Sequence, residues 1–366
     1  MKIRDIGEQG LLERLQRFCP TEIVGDDAAL LTTLPGQSLA VTTDVMVDGV
    51  HFSDRTTSPE DVGWRAAAAN LSDLAAMGAS PLGITVGLSL NSDVLVSWVE
   101  RLYQGLTSCL QQYNTVIVGG DIVRSPVNVI AITAIGQVSP NHIIQRSAAQ
   151  VGYAIVVTGI HGASRAGLEL LLHPEQGQQL SDAERRFLIQ AHQRPKPRLD
   201  VLPLLWEILD PKLETGKQGT REYSSQSRSG FTGFTELQDL GDCFPQSPIP
   251  IAGMDSSDGL ADAILQICRC SHVGAKIERS WIPIPKALSQ IVSPEQALNW
   301  ALYGGEDFEL VLCLALEKAQ SLVKRLGYGA AIVGTITNDT DVCLVDDPGN
   351  YPDKHLTLNQ GFQHFT

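Results

Sequence analysis

Acidic side chains recur in this sequence directly after short apolar segments. Each segment has about the length of a buried strand, and glycine or threonine often stands beside the acid. Carboxylates at strand ends lie at the rim of a sheet, where layered α/β proteins bind ligands. The acids in such positions are Asp26, Asp27, Asp44, Asp121, Asp255, Asp258, Glu306 and Asp307.

These acids have the chemistry of a magnesium site. Carboxylate oxygens are hard ligands, and no cluster of softer Cys and His ligands accompanies them in the sequence. The carbonyl or hydroxyl groups of Thr42 and Thr43 could complete a coordination shell beside Asp44. Turn and helix-cap chemistry explains any single Asp equally well, because Asp commonly begins turns and helices. The residue types alone leave both interpretations open.

Asp73 is harder to explain by local chemistry. The sequence predicts a helix over residues 58–77, with Ser58 as its N-cap and Pro59 at its first position. Asp73 then lies near the negative end of the helix dipole, where an unpaired carboxylate costs about 0.3–1 kcal/mol. Its Ala and Leu neighbours indicate close packing, so it needs a partner, either a bound cation or a base such as Arg65.

The common phosphate-binding loops are absent from the sequence. There is no Gly-x-x-x-x-Gly-Lys-Ser/Thr loop, no Gly-x-Gly-x-x-Gly turn after a strand and no His-Arg-Asp kinase motif. Any phosphate chemistry must therefore rely on metal ions and a few bases. Arg146 is a candidate phosphate contact, although a lone arginine is more often a surface charge.

Strand-like and helix-like segments alternate on both sides of a polar, turn-rich stretch at residues 141–152. This pattern predicts a mixed α/β protein with two domains, residues 1–148 and 149–366. Residues 212–250 are rich in Gly, Ser, Gln and Thr and exceed the usual length of a loop, so we interpret them as a mobile surface insertion.

Composition limits the partners and the location. The 366 residues include 41 acidic ones against 27 Lys and Arg, a formal net charge of −14. Nucleic acid and anionic membranes repel such a chain, so neither is an expected partner. Seven cysteines, an odd number without zinc or redox spacing, favour a thiol-reducing compartment. Because no secretion signal or membrane-spanning run is visible, we expect a cytoplasmic protein.

Several motifs occur in an order that identifies a family. They are Gly-Asp-Asp-Ala-Ala at 25–29, Thr-Thr-Asp at 42–44, Asp-Gly-Val-His-Phe at 48–52, Asn-Leu-Ser-Asp-Leu-Ala-Ala-Met-Gly-Ala at 70–79, Gly-Gly-Asp at 119–121, Asp-Ser-Ser-Asp-Gly-Leu at 255–260 and Gly-Glu-Asp-Phe-Glu-Leu at 305–310. With these motifs the chain resembles the thiamine-monophosphate kinase family, within the superfamily of aminoimidazole ribonucleotide synthetase and selenophosphate synthetase. The resemblance covers nearly the whole chain apart from residues 212–250.

The resemblance implies ATP-dependent phosphorylation of thiamine monophosphate to thiamine diphosphate. It also implies a homodimer of two-domain synthetase-like subunits, in which N-terminal strands form a shared barrel and the C-terminal domain is an α/β sandwich. By residue matching, several Mg²⁺ ions are held by Asp26, Thr42, Thr43, Asp44, Asp73, Asp121, Asp255 and Asp258. The positions matching nucleotide contacts are Gly120, Asp121, Arg146 and Ser257, and those matching the thiamine end are His51, Glu306 and Phe362. Of these residues, Asp44, Asp121 and Asp258 are expected to act in the transfer itself.

General chemistry agrees with this expectation. A substrate phosphate is ionised at neutral pH and is its own nucleophile, so direct in-line transfer without a phosphoenzyme is expected. Phe362 stands where Trp is frequent in the family and either stacks on substrate or packs on the core, and Ser256 replaces a usual apolar residue. For His51, a structural hydrogen bond is the alternative to substrate contact.

Two other functions remain as alternatives. Another ATP-using member of the superfamily, acting on selenide or a carboxamide-derived substrate, is one, although the only early thiol, Cys19, precedes Pro20 and does not lie in a Gly-rich loop. A non-enzymatic Ca²⁺- or Mg²⁺-binding protein is the other, but it predicts contiguous acidic loops rather than dispersed acids.

Overall fold

The structure is a computed structural model that describes residues 1–20, 23, 28–209 and 251–361. The expectations for Asp26, for Phe362 and for the insertion at 212–250 fall outside these described residues. Within the described ranges, no helix is long and apolar enough to cross a membrane.

A four-stranded sheet with helices on one side forms the first half of the chain. Its elements are α1 (Ile3–Leu15), β1 (Ser38–Val47), α2 (Pro59–Ala76), β2 (Ser80–Leu90), α3 (Val96–Gln112), β3 (Ile117–Arg124) and β4 (Val129–Val138). The strands pair in the order β1-β4-β2-β3, and only the β2–β3 pair is parallel. Helix α2 packs on the sheet, and α3 packs on α2.

Helix α2 begins as the sequence predicted. The Asp61 backbone N–H donates to the Ser58 hydroxyl at 3.2 Å, and Pro59 fills the first helical position, where its missing N–H has no cost. The helix ends at Ala76, and Gly78 takes a left-handed conformation two residues later. Local signals therefore determine both ends of this helix.

Glycine allows α2 and α3 to cross at close range. A Cβ on Gly63 would lie 2.0 Å from the Leu102 carbonyl oxygen, and one on Gly105 would meet α2 in the same way. The face of α2 that meets the sheet carries Asn70 and Asp73, which therefore lie against β1.

An eight-stranded sheet with helices on both faces forms the second half. Its strands are β5 (Ile144–Gln145), β6 (Ala154–Val157), β7 (Ile251–Asp255), β8 (Gly274–Glu278), β9 (Leu310–Leu314), β10 (Ala331–Thr337), β11 (Val342–Val345) and β12 (Lys354–His355), in the order β12-β11-β8-β10-β6-β9-β7-β5. Its helices are α4 (Ala163–Leu172), α5 (Asp182–Gln193), α6 (Val201–Leu209), α7 (Leu260–Ser271), α8 (Pro294–Tyr303) and α9 (Leu316–Leu326).

The central strands of this sheet are buried along their whole length. Every residue of β6, β7 and β9 is buried, with α7 and α8 on one face and α6 and α9 on the other. Covering both faces requires continuously apolar strands, which these sequences are. Ala75 and Ala76, at the end of α2, pack into the same core, so α2 joins the two halves.

Two acids lie inside strands, and the expectation that they follow strand ends is wrong. Strand β1 continues to Val47 because β4 pairs with it throughout, and Asp44 lies opposite Ile132. Strand β3 continues past the two glycines, and Asp121 lies opposite Gly87 of β2. Asp255, in contrast, is the last residue of β7, as predicted.

The mixed α/β class is confirmed, with the two sheets formed by consecutive parts of the chain. Strand β4 ends at Val138, and β5, at residues 144–145, already pairs with the second sheet. Two domains divided near residue 148 remain our proposal, with the division placed a few residues earlier by this pairing.

Candidate active site

A cleft of about 810 Å³ is lined by residues from both halves of the chain. Strand β1, the turn after it and α2 contribute one wall, while α4, α5, α8 and the loop before β9 contribute the other. The predicted site residues that line it are Asp44, His51, Asp73, Ser257, Asp258 and Glu306.

The first wall presents acids from β1 and α2. Alternation along β1 places Thr42 and Asp44 on the face that meets α2. Thr42 donates its hydroxyl to the Asp73 carboxylate, and the Asp44 backbone N–H donates to Asn70 at 3.2 Å. These contacts fix the spacing between the two carboxylates.

Asp255 lies behind the cleft surface and links α2 to the end of β7. It is 3% exposed and accepts hydrogen bonds from Ser72 at 2.6 Å and from Ser257 at 2.9 Å. Asp258, three residues later, is exposed and lines the cleft. We call Asp44, Asp73, Asp255 and Asp258 the four-acid group.

Burial and the charges of neighbouring acids raise the pKa values of Asp44, Asp73 and Asp255. For Asp44, burial is the larger cause, with Asp255 and Asp258 adding to it. Burial raises the pKa of Asp73 to about 6, where nearby acids also raise it and Arg146 opposes the rise. Burial and the charge of Asp73 raise the pKa of Asp255 to about 6. Such a group attracts cations strongly.

The donor chemistry of the four-acid group fits Mg²⁺. Its ligands are hard oxygens, and Mg²⁺ is usually held by one or two carboxylates together with waters and substrate phosphates. Among the residues that the structure describes, no three acidic, His or Cys side chains converge closely enough to form a complete cage.

Glu306 occupies the opposite wall of the cleft in an unusual backbone conformation. Its φ is 59° and that of Phe308 is 52°, values in the left-handed region that few non-glycine residues adopt. The Glu306 backbone N–H donates to the Ser257 carbonyl at 2.7 Å, which holds this loop against the turn that carries Asp258. Strained backbone of this kind is often found at functional sites.

Arg65, from the middle of α2, connects Glu306 to the loop that carries His51. It is 3% exposed, donates to the Glu306 carboxylate and donates to the His51 carbonyl at 3.1 Å. The alternative in which Arg65 pairs with Asp73 is therefore wrong. The His51 ring accepts from the Val47 backbone N–H at 3.0 Å, so it makes a structural hydrogen bond while also lining the cleft.

His192, from α5, contacts Glu306 from the other side. Its Nδ1 lies 3.4 Å from the Glu306 carboxylate and 3.3 Å from the Ser164 hydroxyl. Burial would raise the pKa of Glu306, but the charge of Arg65 and the contact with His192 outweigh it and hold the pKa at about 2. Sequence reasoning did not find His192 because no local pattern marks it.

Six of the described predicted residues lie outside the cleft lining: Thr42 and Asp255, described above, together with Thr43, Gly120, Asp121 and Arg146. The Thr43 side chain is exposed on the opposite face of β1, where its hydroxyl lies 2.9 Å from that of Thr133. Asp121 is exposed on β3. Gly120 precedes it, and a Cβ there would lie 2.2 Å from the Val86 carbonyl, so close pairing with β2 by itself requires glycine.

Arg146 is exposed just after β5, close enough to the four-acid group for its charge to lower the pKa of Asp73. Asp26 and Phe362 lie outside the described residues. Gln360 and Gly361, which immediately precede Phe362 in the chain, line the cleft.

Comparison with known proteins agrees with this geometry. A family model described as AIR synthase related protein, N-terminal domain, matches residues 25–138. The chain is 49% identical over 365 residues to the thiamine-monophosphate kinase of Synechococcus elongatus, covering 100% of this chain and 98% of that protein.

Solved structures show the same relationship. The crystal structure of thiamine-monophosphate kinase from Stenotrophomonas maltophilia K279a matches with a TM-score of 0.70 and 28% identity, covering 91% of this chain and 94% of that one. The structure of AaThiL complexed with AMPPCP and TMP matches with a TM-score of 0.66 and 27% identity, covering 97% and 98%. The chain therefore belongs to the thiamine-monophosphate kinase family and is a kinase.

Proposed function

We propose that this protein transfers the γ-phosphoryl group of ATP to thiamine monophosphate, forming thiamine diphosphate and ADP. The observation that carries the proposal is the full-length identity to the Synechococcus elongatus kinase. A structural relative, AaThiL, is complexed with AMPPCP and TMP together, which supports simultaneous binding of nucleotide and acceptor. The cleft between the two halves is lined both by acids of the four-acid group and by Glu306, and we call these two parts of its lining the two ends of the cleft.

The four-acid group, with the Thr42 hydroxyl, would hold several Mg²⁺ ions. Bound Mg²⁺ supplies the positive charge that lets two anionic substrates approach each other and stabilises the transferring group. From the family resemblance we add Asp26, Thr43 and Asp121 as further ligands, and we assign direct roles in the transfer to Asp44, Asp121 and Asp258. The side chain of Ser257, which donates to Asp255, holds the turn on which Asp258 lies.

The transfer is direct and in line. An oxygen of the acceptor phosphate bonds to the γ-phosphorus of ATP while the bond from that phosphorus to the β–γ bridging oxygen breaks, and ADP leaves. The acceptor phosphate is already ionised, so no side chain has to remove a proton. No phosphorylated side chain is formed.

The remaining assignments place the two substrates at opposite ends of the cleft. Gly120, Asp121, Arg146 and Ser257 contact the nucleotide, and His51, Glu306 and Phe362 contact the thiamine end. The apolar side chains of Leu168, Leu172 and Trp300 line the same cleft as Glu306 and suit an uncharged ring.

We also propose that the protein is a cytoplasmic homodimer joined through the first sheet. On the face of β1 away from α2, three apolar side chains remain exposed in one subunit: Leu39 at 58%, Val41 at 64% and Val45 at 46%. Several exposed apolar side chains on one sheet face, here with Thr43 among them, are typical of a protein interface. Val41→Glu is expected to convert the dimer to a monomer in light scattering, and a wild-type protein that is monomeric would contradict the interface.

The assay for the proposed function supplies ATP, Mg²⁺ and thiamine monophosphate to the purified protein and quantifies thiamine diphosphate. An Asp44→Asn protein, purified identically, controls for contaminating kinases. Thiamine serves as a second acceptor, to detect a different acceptor preference. Turnover only with another acceptor would disprove the assignment, and transfer of label from γ-labelled ATP to the protein would disprove direct transfer.

A further inference from the structure

His192 is almost completely buried yet lies at the cleft wall. It is 2% exposed, it lines the cleft, and its Nδ1 lies 3.4 Å from an oxygen of Glu306. Arg65 contacts the other oxygen of the same carboxylate. The carboxylate is therefore held between two residues from separate helices, α2 and α5, and each oxygen has its own partner.

The protonation of the His192 ring follows from its neighbours. Burial lowers the pKa of His192, so its ring is neutral at neutral pH. Nδ1 lies 3.3 Å from the Ser164 hydroxyl and 3.4 Å from the Glu306 carboxylate, and we assign the ring proton to Nδ1 because an ionised carboxylate only accepts hydrogen bonds. This leaves Nε2 as a bare acceptor, and that atom is buried with no hydrogen-bond partner in the part of the chain that the structure describes. Within the described residues, the ring therefore makes its polar contacts through Nδ1.

The main chain at Glu306 cannot set the side-chain direction alone. Its left-handed φ of 59° and its N–H bond to Ser257 fix the loop, but a glutamate side chain keeps three rotatable bonds. With Arg65 alone, the carboxylate could pivot about a single contact. A second donor on the other oxygen restricts it to one orientation within the cleft.

We propose that His192 is a positioning residue for Glu306 at the end of the cleft that receives the thiamine part of the substrate. The proposal rests on the function proposed above, in which Glu306 contacts that part. Because the ATP end lies at the four-acid group, loss of the Nδ1 donor weakens binding of thiamine monophosphate and leaves ATP binding intact.

Three variants of His192 distinguish the role of Nδ1 from that of Nε2. His192→Asn retains an amide N–H at the position of Nδ1 and nothing at Nε2. His192→Gln moves the amide toward the position of Nε2, and His192→Leu removes both polar groups. We expect His192→Gln and His192→Leu to raise the KM for thiamine monophosphate about tenfold or more, as expected for a lost hydrogen bond to a charged group, while His192→Asn stays within about threefold. The KM for ATP should be unchanged in all three.

The measurement is steady-state kinetics with each substrate varied in turn, together with the thermal midpoint of each variant. If His192→Gln kept the wild-type KM for thiamine monophosphate and His192→Asn did not, the proposal would be overturned, since the function would then belong to Nε2. A KM for thiamine monophosphate that is unchanged in both His192→Gln and His192→Leu, or a parallel rise in both KM values, would also overturn it. If His192→Leu fails to fold, the Asn and Gln pair still decides. A wild-type protein without turnover of thiamine monophosphate would overturn the proposed function and this inference together. An active wild type whose His192 variants have an unchanged KM for thiamine monophosphate would overturn this inference alone.

Discussion

The two ends of the cleft treat buried carboxylates in opposite ways. At the four-acid group, burial and like charges raise the pKa values, to about 6 for both Asp73 and Asp255. At the other end, Glu306 has Arg65 and His192 beside it, and its pKa falls to about 2 although burial acts against this. Within the described ranges, none of the four acids forms a salt bridge. The fold pairs Glu306 directly with the charge of Arg65, whereas the four-acid group has Arg146 nearby but no salt bridge in the described residues.

This difference changes what the net charge of −14 means. A carboxylate that is paired with a base inside the fold adds no net charge to its surroundings. The four-acid group, in contrast, concentrates negative charge at one end of the cleft. In the proposed function, cations bound there turn a surface that would repel phosphate into one that holds it. The comparison predicts that removing Asp44 leaves the stability of the folded protein unchanged or raises it, whereas removing the partner of Glu306 lowers it.

The largest expected effect is on turnover, from Asp44→Asn. Removing this carboxylate should reduce kcat by roughly a hundred- to a thousandfold, as for loss of a major transition-state contact. The thermal midpoint should stay unchanged or rise, because Asp255 and Asp258 repel the charge of Asp44 in the folded protein. Steady-state kinetics and thermal unfolding in metal-free buffer measure the two quantities.

Asp353→Asn is the matched control, since Asp353 is an exposed carboxylate outside the cleft. It should change neither quantity. Retained activity in Asp44→Asn would refute the metal-binding role of the four-acid group, and a clear loss of stability would show that Asp44 is already neutralised within the fold.

At the other end, Arg65→Met should destabilise the protein. It leaves Glu306 with a single partner, and losing one member of a buried pair costs about 3–5 kcal/mol when both are fully buried. Because the Glu306 side chain is 35% exposed, we expect a smaller loss, about 2 kcal/mol in the free energy of unfolding. The variant should also lose activity, since the His51 carbonyl loses its donor as well. Chemical denaturation measures the loss of stability.

A double-mutant cycle makes this test specific. Adding Glu306→Gln to Arg65→Met should recover part of the lost stability, because the unpaired carboxylate is then gone. Strict additivity would mean that Arg65 and Glu306 do not interact, and the comparison between the two ends would fail.

Local patterns in the sequence predicted some of this organisation and could not predict the rest. Ser58 and Pro59 identify the start of α2 because a cap depends only on neighbouring residues. The strand continuing through Asp44 depends on β4, whose residue opposite is Ile132, far along the chain. A prediction made from one segment at a time cannot take that pairing into account.

Contacts between residues that are far apart in the chain also limit what the sequence predicts about the site. Most of the acids were found from their position after apolar segments and His51 from a family motif, and Asp44, His51, Asp73, Asp258 and Glu306 line one cleft. Arg65 and Glu306 are 241 residues apart, so their contact has no local signal. The exposed side chain of Thr43 follows from the strand alone, because neighbouring residues on a strand face opposite sides and Asp44 faces inward.

The smallest expected effect is on the pH dependence of stability, and it tests whether the buried His161 carries a positive charge near the four-acid group. The nearby His161 is fully buried, with Nδ1 3.2 Å from the Gly159 carbonyl and Nε2 3.1 Å from the Ser256 hydroxyl, directly under the turn that carries Asp258. Burial lowers its pKa from 6.5 to about 4. The unfolded chain then takes up a proton near pH 6.5 that the folded protein refuses until about pH 4, so this histidine removes stability as the pH falls through that window.

Between pH 7.5 and 5.5, the loss from His161 should be about 1 kcal/mol, and His161→Gln should lack it. The difference between the two denaturation series isolates this histidine, because Asp73 and Asp255 titrate in both proteins. A wild type that instead gains stability over His161→Gln on acidification would mean that His161 is protonated in the folded state. The four-acid group would then have a base of its own, and the contrast with Glu306 would disappear. A wild type that loses stability as predicted shows that a buried histidine near the acids contributes no charge to them, which leaves Arg146 and bound cations as their sources of positive charge.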